Sequence, residues 1–412
     1  MVSNSLILGP MKNSINPHRQ RTGFSAALLL LGLLLAPAKP AVAEDSGAAT
    51  AAPQSPLEAT YLSEPIQVTA GLLKAGEGYF SPDSGQICYQ GVPEGYPFYQ
   101  IYTQPFSTTA PRITAPVRIS SGRGRTTCSF FSPDGARLLF ASSHTDPNLE
   151  KTETLARAQA AEDARTGRRR RYQWDFDPHM DIFSTRPDGG GLEQLTHTPG
   201  YDAECSFSPD GRQILFVSDR DGDPDIYLMN GDGSAVRQLT NQPGYDGGPF
   251  FSPDGQWIAY RTDRVEKDLL QIHVMRADGS HDQALTSGQG VRWAPFWHPT
   301  QPWLIWTGAD HSDPTQRPNY DLWIARYEVG ESAGEPTLHC GAPLRLTDHP
   351  GADVLPAFSP DGTLLMWTAS RDTAGGRTPS SQLWVARPNS SRIEQDLAAA
   401  PSESEQPKEI KP

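Results

Sequence analysis

The sequence lacks the short motifs that mark the common hydrolases and nucleotide enzymes. It has no Gly-x-Ser-x-Gly elbow, no His-Glu-x-x-His pair and no Walker loop. These absences exclude a serine-hydrolase elbow, a zincin-type metal pair and a P-loop phosphate cradle. Cysteine is scarce: Cys88, Cys128, Cys205 and Cys340 are the full set in 412 residues, and four thiols allow three pairings. Positive charge is also short, with 35 Lys+Arg against 48 Asp+Glu and a net charge of -13. A nucleic-acid binder needs the opposite balance. The apolar run from Phe24 to Leu35 is too short to span a bilayer comfortably, and no Cys follows it closely to carry a lipid.

That run has the surroundings of a secretory signal. Lys12, Arg19 and Arg21 precede it, and Ala41-Val42-Ala43 offers a cleavage site before Glu44. Residues 1–43 are therefore expected to be a cleaved signal peptide that delivers a soluble protein to the periplasm. Cleavage removes four Lys/Arg and no acid, taking the charge from -13 to -17. Residues 44–64, rich in Ala, Ser and Pro, are expected to form a flexible lead-in.

What the remainder has in abundance is repetition. Phe207-Ser-Pro-Asp-Gly is matched by phrases anchored at Phe80, Phe131, Phe251, Trp297 and Phe358. Asp225-Ile226-Tyr227 is echoed at Asp181, Gln271, Asp321 and Gln382, and more loosely at Gln100. Leu239-Thr240 returns at Leu195-Thr196, Leu285-Thr286 and Leu346-Thr347, with Ile119-Ser120 as a variant. From each of these hydroxyl residues to the next aromatic anchor the step is always 11 residues. Each unit reads as four short strands joined by Pro-Asp-Gly and Asp-Gly turns, and such units pack around a central channel as a β-propeller. Six anchors predict six blades. The last unit lacks its fourth strand, whereas Ile66-Gln67-Val68-Thr69 lies 11 residues before Phe80. This N-terminal strand is expected to close the ring and cover an open sheet edge.

The phrases resemble the TolB-like propeller family, and the resemblance covers roughly residues 65–387. It implies an all-β, six-bladed propeller, and it is far less specific for function, because such propellers serve as scaffolds, as partners of peptidase domains and as enzymes. The family's namesake carries a separate α/β domain ahead of its propeller, and the lead-in here leaves no room for one. The resemblance therefore implies only the propeller, not the namesake's envelope role. Residues 388–412 are expected to be a disordered tail, too short for a fused hydrolase domain.

One unit departs from the rest. Its anchor-to-Asp distance is 50 residues (131 to 181) against 18 in the next unit, which marks an insertion over 144–176. Glu150 to Arg165 has helix-forming composition, Gly167 can end it, and Arg168 to Arg171 form a basic run. Chain connectivity puts this insertion on the propeller face that carries the variable loops, where function tends to sit.

On the same face, five residues before the anchors, stand Thr126, Asp202, Asp246, Arg292 and Asp353, with Glu204 deeper and Arg125 beside Thr126. Paired, these charges form a girdle that stitches blades together. Unpaired, they offer a channel-mouth site for a cation or a peptide's charged end, with Arg125 suited to a carboxylate. Asp219, Asp221, Asp223 and Asp225 match an EF-hand only in part: Pro224 stands where Gly is needed and Asn230 where the bidentate Glu belongs. His273, His298 and His311 could gather around a metal only if the fourth and fifth blades brought them together. Cys128 and Cys205 fall on neighbouring inner strands, and their pairing stays open.

No metal, cofactor or catalytic group is expected. The sequence reads as an exported, monomeric binding scaffold for another envelope protein or a peptide. The alternatives are a hydrolase or lyase using the acidic mouth, or the detached propeller of a peptidase.

Overall fold

The computed structural model describes residues 54–168, 176–313, 315–332, 334–371 and 380–399. The signal peptide expected over 1–43, the basic residues 169–171 and the tail beyond 399 lie outside these residues.

The described chain is almost all strand. Helix α1 (Pro56–Tyr61) and strand β1 (Ile66–Gln67) come first, followed by β2 (Lys74–Phe80), β3 (Gln86–Val92), β4 (Gln100–Pro105) and β5 (Val117–Arg118). Next come β6 (Thr126–Phe131), β7 (Leu138–Ser142), helix α2 (Leu149–Thr166), β8 (His179–Thr185) and β9 (Glu193–Gln194). The middle of the chain gives β10 (Gly200–Phe207), β11 (Gln213–Ser218), β12 (Asp225–Asn230) and β13 (Arg237–Gln238), then β14 (Asp246–Phe251), β15 (Trp257–Thr262), β16 (Gln271–Arg276) and β17 (Gln283–Ala284). The last part holds β18 (Gly290–Trp297), β19 (Trp303–Asp310), β20 (Asp321–Ser332), β21 (Glu335–Cys340), β22 (Leu344–Arg345), β23 (Asp353–Phe358), β24 (Leu365–Ala369), β25 (Gln382–Ala386) and helix α3 (Ser390–Ala399).

These strands form a propeller-like arrangement of four-stranded antiparallel blades. Strands β2 to β5 make one and β14 to β17 another. The strands from β6 to β13 form two such sets, linked by a short parallel contact of β8 with β10. Strands β18, β19, β20 and β22 make a further set, with β21 extending β20 as a hairpin. In the remaining sheet β1 pairs with β25, placing Ile66 opposite Val385 and Gln67 opposite Trp384.

Two local devices explain why the phrases repeat. In the Pro-Asp-Gly turn, Ser208 Oγ donates to Asp210 Oδ1 at 2.6 Å and accepts Gln213 N–H at 2.9 Å, while Gly211 takes φ +71°. The Ser and Asp thus satisfy turn groups that the ladder leaves open. The second device joins the third and fourth strands. The Thr240 hydroxyl accepts Ile226 N–H and donates to Asp225 Oδ1, both at 2.9 Å. The same pairing links Ser120 to Gln100, Thr286 to Gln271 and, across the chain's two ends, Thr69 to Gln382.

The aromatic anchors pack each sheet on the previous one. Phe131 is buried with Cys88 and Ile101, Phe207 with Leu139 and Ile182, and Phe251 with Leu215 and Ile226. Trp297 meets Trp257 and Ile272, Phe358 meets Trp303 and Ile305, and Phe80 meets Met366 and Leu383. Each such side chain contributes roughly 1.5–3 kcal/mol by leaving water. All four cysteines are free thiols.

Both ends of the described chain are more ordered than the sequence suggested. In the expected lead-in, Ser55 caps α1 and Pro56 starts it, which are standard helix-opening residues. In the expected tail, α3 buries Ile393 and Leu397, four residues apart on one face, in the cluster holding Tyr61 and Trp303. Trp303 Nε1 donates to Glu394 at 3.0 Å, and Tyr61 donates to Asp396 at 2.8 Å. The short i, i+4 apolar pair was hidden by the polar composition around it.

The helix expected in the insertion is α2, ended by Gly167 at φ +66°. Its one buried side chain is Glu153, which accepts from Tyr96 Oη and Arg123 Nε, each at 2.7 Å, and from Gly124 N. Burial alone would raise this carboxyl, but the donors outweigh it and hold it below the ordinary range.

Helix α1 is fixed by a buried ionic triad. Arg371, with a side chain 0% exposed, bridges Glu58 of α1 and Asp353 of β23. Arg371→Ala leaves two buried carboxylates without their cation and is expected to lower stability by about 3–5 kcal/mol in urea unfolding. Arg186→Ala, at an exposed pair, is expected to leave the midpoint unchanged.

Candidate functional site

The site is set by an irregularity shared by the inner strands. In β10, Asp202 pairs with Ser218 and Ala203 with Val217, but Ser206 pairs with Leu215. Glu204 and Cys205 therefore face a single partner residue, which is a β-bulge. The same shift occurs in β2, β6, β14, β18 and β23. The first bulged residue has positive φ every time: Glu77 +49°, Cys128 +56°, Glu204 +53°, Gly248 +58°, Ala294 +52° and Leu355 +57°. All of these residues line one central cavity of about 420 Å³.

The cavity's floor is aromatic. Tyr79 meets Phe130, Phe250 and Phe296 at ring-centroid distances of 5.1, 5.8 and 6.0 Å, and Phe250 meets Phe296 at 5.3 Å. On the side away from the floor stand Lys74, Phe98, Tyr99, Arg125, Thr126 and Met180. Lys74 Nζ lies 4.6 Å from the Tyr99 ring centroid, and the Arg125 guanidinium lies 4.1 Å from that of Phe98. The end of the insertion closes on the same side, with Asp177 3.3 Å from Arg125 and Phe176 5.0 Å from the Tyr201 ring.

Glu204 is the best-satisfied group in the cavity. It takes Arg261 Nη2 and Tyr245 Oη at 2.8 Å and Gly248 N at 2.7 Å, with Tyr201 Oη at 3.3 Å. Two glycines make room for this network. A Cβ on Gly248 would lie 2.2 Å from Arg261 Nη1, and one on Gly247 would lie 2.1 Å from Tyr245 Oη.

Glu77 is different. Its backbone N–H donates to Thr368 Oγ1 at 2.9 Å, but its carboxyl forms no ion pair among the described residues. Burial pushes its pKa up to about 7; the Cys128 thiol and Arg261 pull it down, and Glu204 adds to the rise. Burial also raises the nearby thiols, Cys128 well above its ordinary value and Cys88 to about 12.

Of the residues singled out in the sequence, Glu204, Arg125 and Thr126 line the cavity, and Asp202, Asp246, Asp353 and Arg292 do not. Three of these carboxylates are buried in ion pairs within their own blades: Asp202–Arg220 at 3.1 Å, Asp246–Arg264 at 2.6 Å and Asp353–Arg371 at 2.8 Å. Arg292 donates to Gly290 O instead. The reason is parity. Strict alternation turns the residue five before the anchor away from the anchor's side, and the bulged residue reverses that. Asp202 and Phe207 pair with Ser218 and Ile214, which share one face of β11.

That reading missed Glu77, Tyr245 and Arg261, and of these only Glu77 had a signal in the sequence. Counting three residues back from each anchor, instead of five, lands on the cavity ring. Asp221, Asp223 and Asp225 bring carboxylate oxygens within 4.8 Å of one another, yet each accepts from the protein, from Gln238 or Gly244 N. His273, His298 and His311 have separate partners in Asp282, Gln301 and Tyr320.

Because Glu77 titrates higher in the fold than its ordinary 4.5, the native state holds its proton over a range where the unfolded chain has lost it. Its ionisation therefore subtracts stability as pH rises through about 7. Glu77→Gln is expected to be more stable than the parent above that pH, with the gain fading towards pH 4.5, as read from urea midpoints across pH. A gain that grows with acid would contradict the assignment.

A family model described as the TolB beta propeller domain matches residues 172–267. Among solved structures, a protein assigned as TolB from Agrobacterium tumefaciens is 20% identical, covers 76% of this chain and 90% of its own, and gives a TM-score of 0.46. TolB from Acinetobacter baumannii is 18% identical, with 74% of this chain and 64% of its own covered and a TM-score of 0.47. An oligogalacturonate lyase from Vibrio parahaemolyticus is 14% identical, with 76% and 78% covered and a TM-score of 0.46. A comparison with curated proteins gives no match. Among the described residues no helix is long and apolar enough to cross a membrane. The repeated phrases fold into four-stranded antiparallel blades, and residues 172–267 among them match the TolB beta propeller domain model.

Proposed function

We propose that this chain is an exported, six-bladed propeller closed by β1, acting as a non-catalytic scaffold that holds a ligand or a partner's segment in its central cavity. The observation that carries this reading is the cavity itself. Its volume of about 420 Å³ falls in the range of small-molecule sites. It combines an aromatic floor with a few buried polar groups, the composition that gives a pocket both affinity and orientation. The closed, six-bladed ring is supported by the pairing of β1 with β25 and by the Thr69–Gln382 hydrogen bond. The ligand or partner enters from the side carrying α2, whose Glu153 fixes the loops around Arg123 and Gly124.

Export rests on the sequence of residues 1–43, and the protein recovered from a periplasmic extract is expected to begin at Glu44 by mass spectrometry. A mature chain that keeps Met1 would contradict export by cleavage.

Binding is tested by purifying the tagged mature protein from an envelope extract and reading its retained species by native mass spectrometry. The comparison is Thr127→Trp, which fills the cavity from its wall, with its fold checked by circular dichroism. A species held by the parent and lost from the variant is expected. Equal retention by both, or none by either, would contradict the cavity as the binding site.

A second reading, a lyase or hydrolase, is favoured by one observation. Glu77 is a carboxyl in a secluded site, poised near neutrality as a general acid or base must be. Under that reading Glu77→Gln abolishes turnover of a bound substrate; under the scaffold reading no bound species is chemically changed by the parent.

A further inference from the structure

We infer that the cavity is built for an organic ammonium ion, seated on the Glu77 carboxylate with its apolar body against the aromatic floor. This inference rests on the reading of the cavity as the ligand site and names the chemistry of its ligand.

The argument is one of charge matching. Glu204 is neutralised by Arg261 and further held by Tyr245, Tyr201 and Gly248 N. Arg125 is matched by Asp177 and stacked on Phe98, and Lys74 lies over the Tyr99 ring. The groups around Glu77 are Tyr79 on its own strand and, from neighbouring elements, Glu204, Arg261 and the thiols of Cys88, Cys128 and Cys205. The thiols and the phenol are neutral, since burial raises all of them. Glutamate 204 and Arg261 cancel. Ionised Glu77 therefore leaves the deep cavity one negative charge in excess; Lys74, whose charge the Tyr99 ring does not cancel, stands on the side away from the floor.

Two further features suit an ammonium group. Ser129 Oγ, in a residue 1% exposed that lines the cavity, has no hydrogen-bond partner and is an acceptor in waiting. The rings of Tyr79, Phe250 and Phe296 line the cavity, and aromatic rings both attract a cation and cover an apolar body. At the floor an anionic ligand would meet Glu77 and Glu204 with Arg261 already committed, and only Lys74 and Arg125 on the opposite side could attract it. A neutral ligand would leave Glu77 protonated and the charge unused.

The exchange is a proton for a cation. At a pH where Glu77 holds its proton, binding an ammonium ion releases that proton to solvent. At higher pH the carboxylate is already bare and nothing is released.

The test uses the mature chain and three probes of like shape: 2-phenylethylamine, its neutral counterpart 2-phenylethanol, and the anion 3-phenylpropanoate. Calorimetry is run at about pH 6 and about pH 8, in buffers of differing ionisation heat. The amine is expected to bind about tenfold more tightly at the higher pH, with close to one proton released at the lower one. The alcohol is expected to be weaker and independent of pH, and the anion weakest. Glu77→Gln is expected to remove the pH dependence and the preference for the amine while leaving the alcohol's affinity unchanged. The proton count on the parent stands without that variant, should it fold poorly. Binding of the alcohol or anion as tight as the amine, or an amine affinity unmoved by Glu77→Gln, overturns the ammonium assignment while leaving the cavity a ligand site. Failure of all three probes to bind at millimolar concentration, by ligand-observed NMR, overturns both.

Discussion

The bulge in each inner strand is the constraint on which the rest of this structure depends. An inner strand without it would carry its inward residues in strict alternation, and the residue five before each anchor would face the channel. With the extra residue, Glu77, Cys128, Glu204, Gly248, Ala294 and Leu355 take the left-handed conformation and line the cavity instead. Such a conformation is costly for residues other than glycine. Its recurrence at the same place in successive blades ties that cost to the architecture and not to one loop. The bulge also frees a backbone N–H, which Glu77 gives to Thr368, Gly248 to Glu204 and Leu355 to Thr307.

The same parity decides where charge is spent on stability and where it is left for chemistry. Asp202, Asp246 and Asp353 sit on the anchor's side of the strand, among the blade contacts, and each is held by an arginine 18 residues further along. Deeper in the strand, on the cavity side, Glu204 is ion-paired and Glu77 has no ion pair among the described residues. A buried ion pair adds little net stability but is expensive to break. The first group of acids is therefore a set of fixed joints, and the unpaired carboxyl is the position from which a function can be read.

Most of the fold was legible in the sequence because its repeats are local and short. The Ser-Pro-Asp-Gly turn and the Thr-to-Asp hydrogen bond each need only a few residues in fixed order, so their spacing appears directly in the text of the chain. Helix α2 was legible for the same reason, from its composition and Gly167. The ends were not, since α1 and α3 are held by long-range contacts of Glu58 and Ile393 with the last blades. The lining of the cavity was legible in part. Glu204, Arg125 and Thr126 were found, whereas Glu77 was passed over because a bulge leaves no residue signature when its first position holds Glu, Cys, Ala or Leu as readily as Gly. Arg261 reaches the cavity from β15 and Tyr245 stands just ahead of β14, and only the tertiary arrangement brings them to Glu204.

The measurement that tests this account most directly is the titration of the Glu77 carboxyl carbon by NMR, in protein labelled at glutamate and assigned with Glu77→Gln. The account predicts a midpoint near 7 in the free protein, since the group is secluded in the cavity without a cation of its own. A midpoint near the ordinary 4.5 would contradict it, because the carboxyl would then be either solvated or already paired.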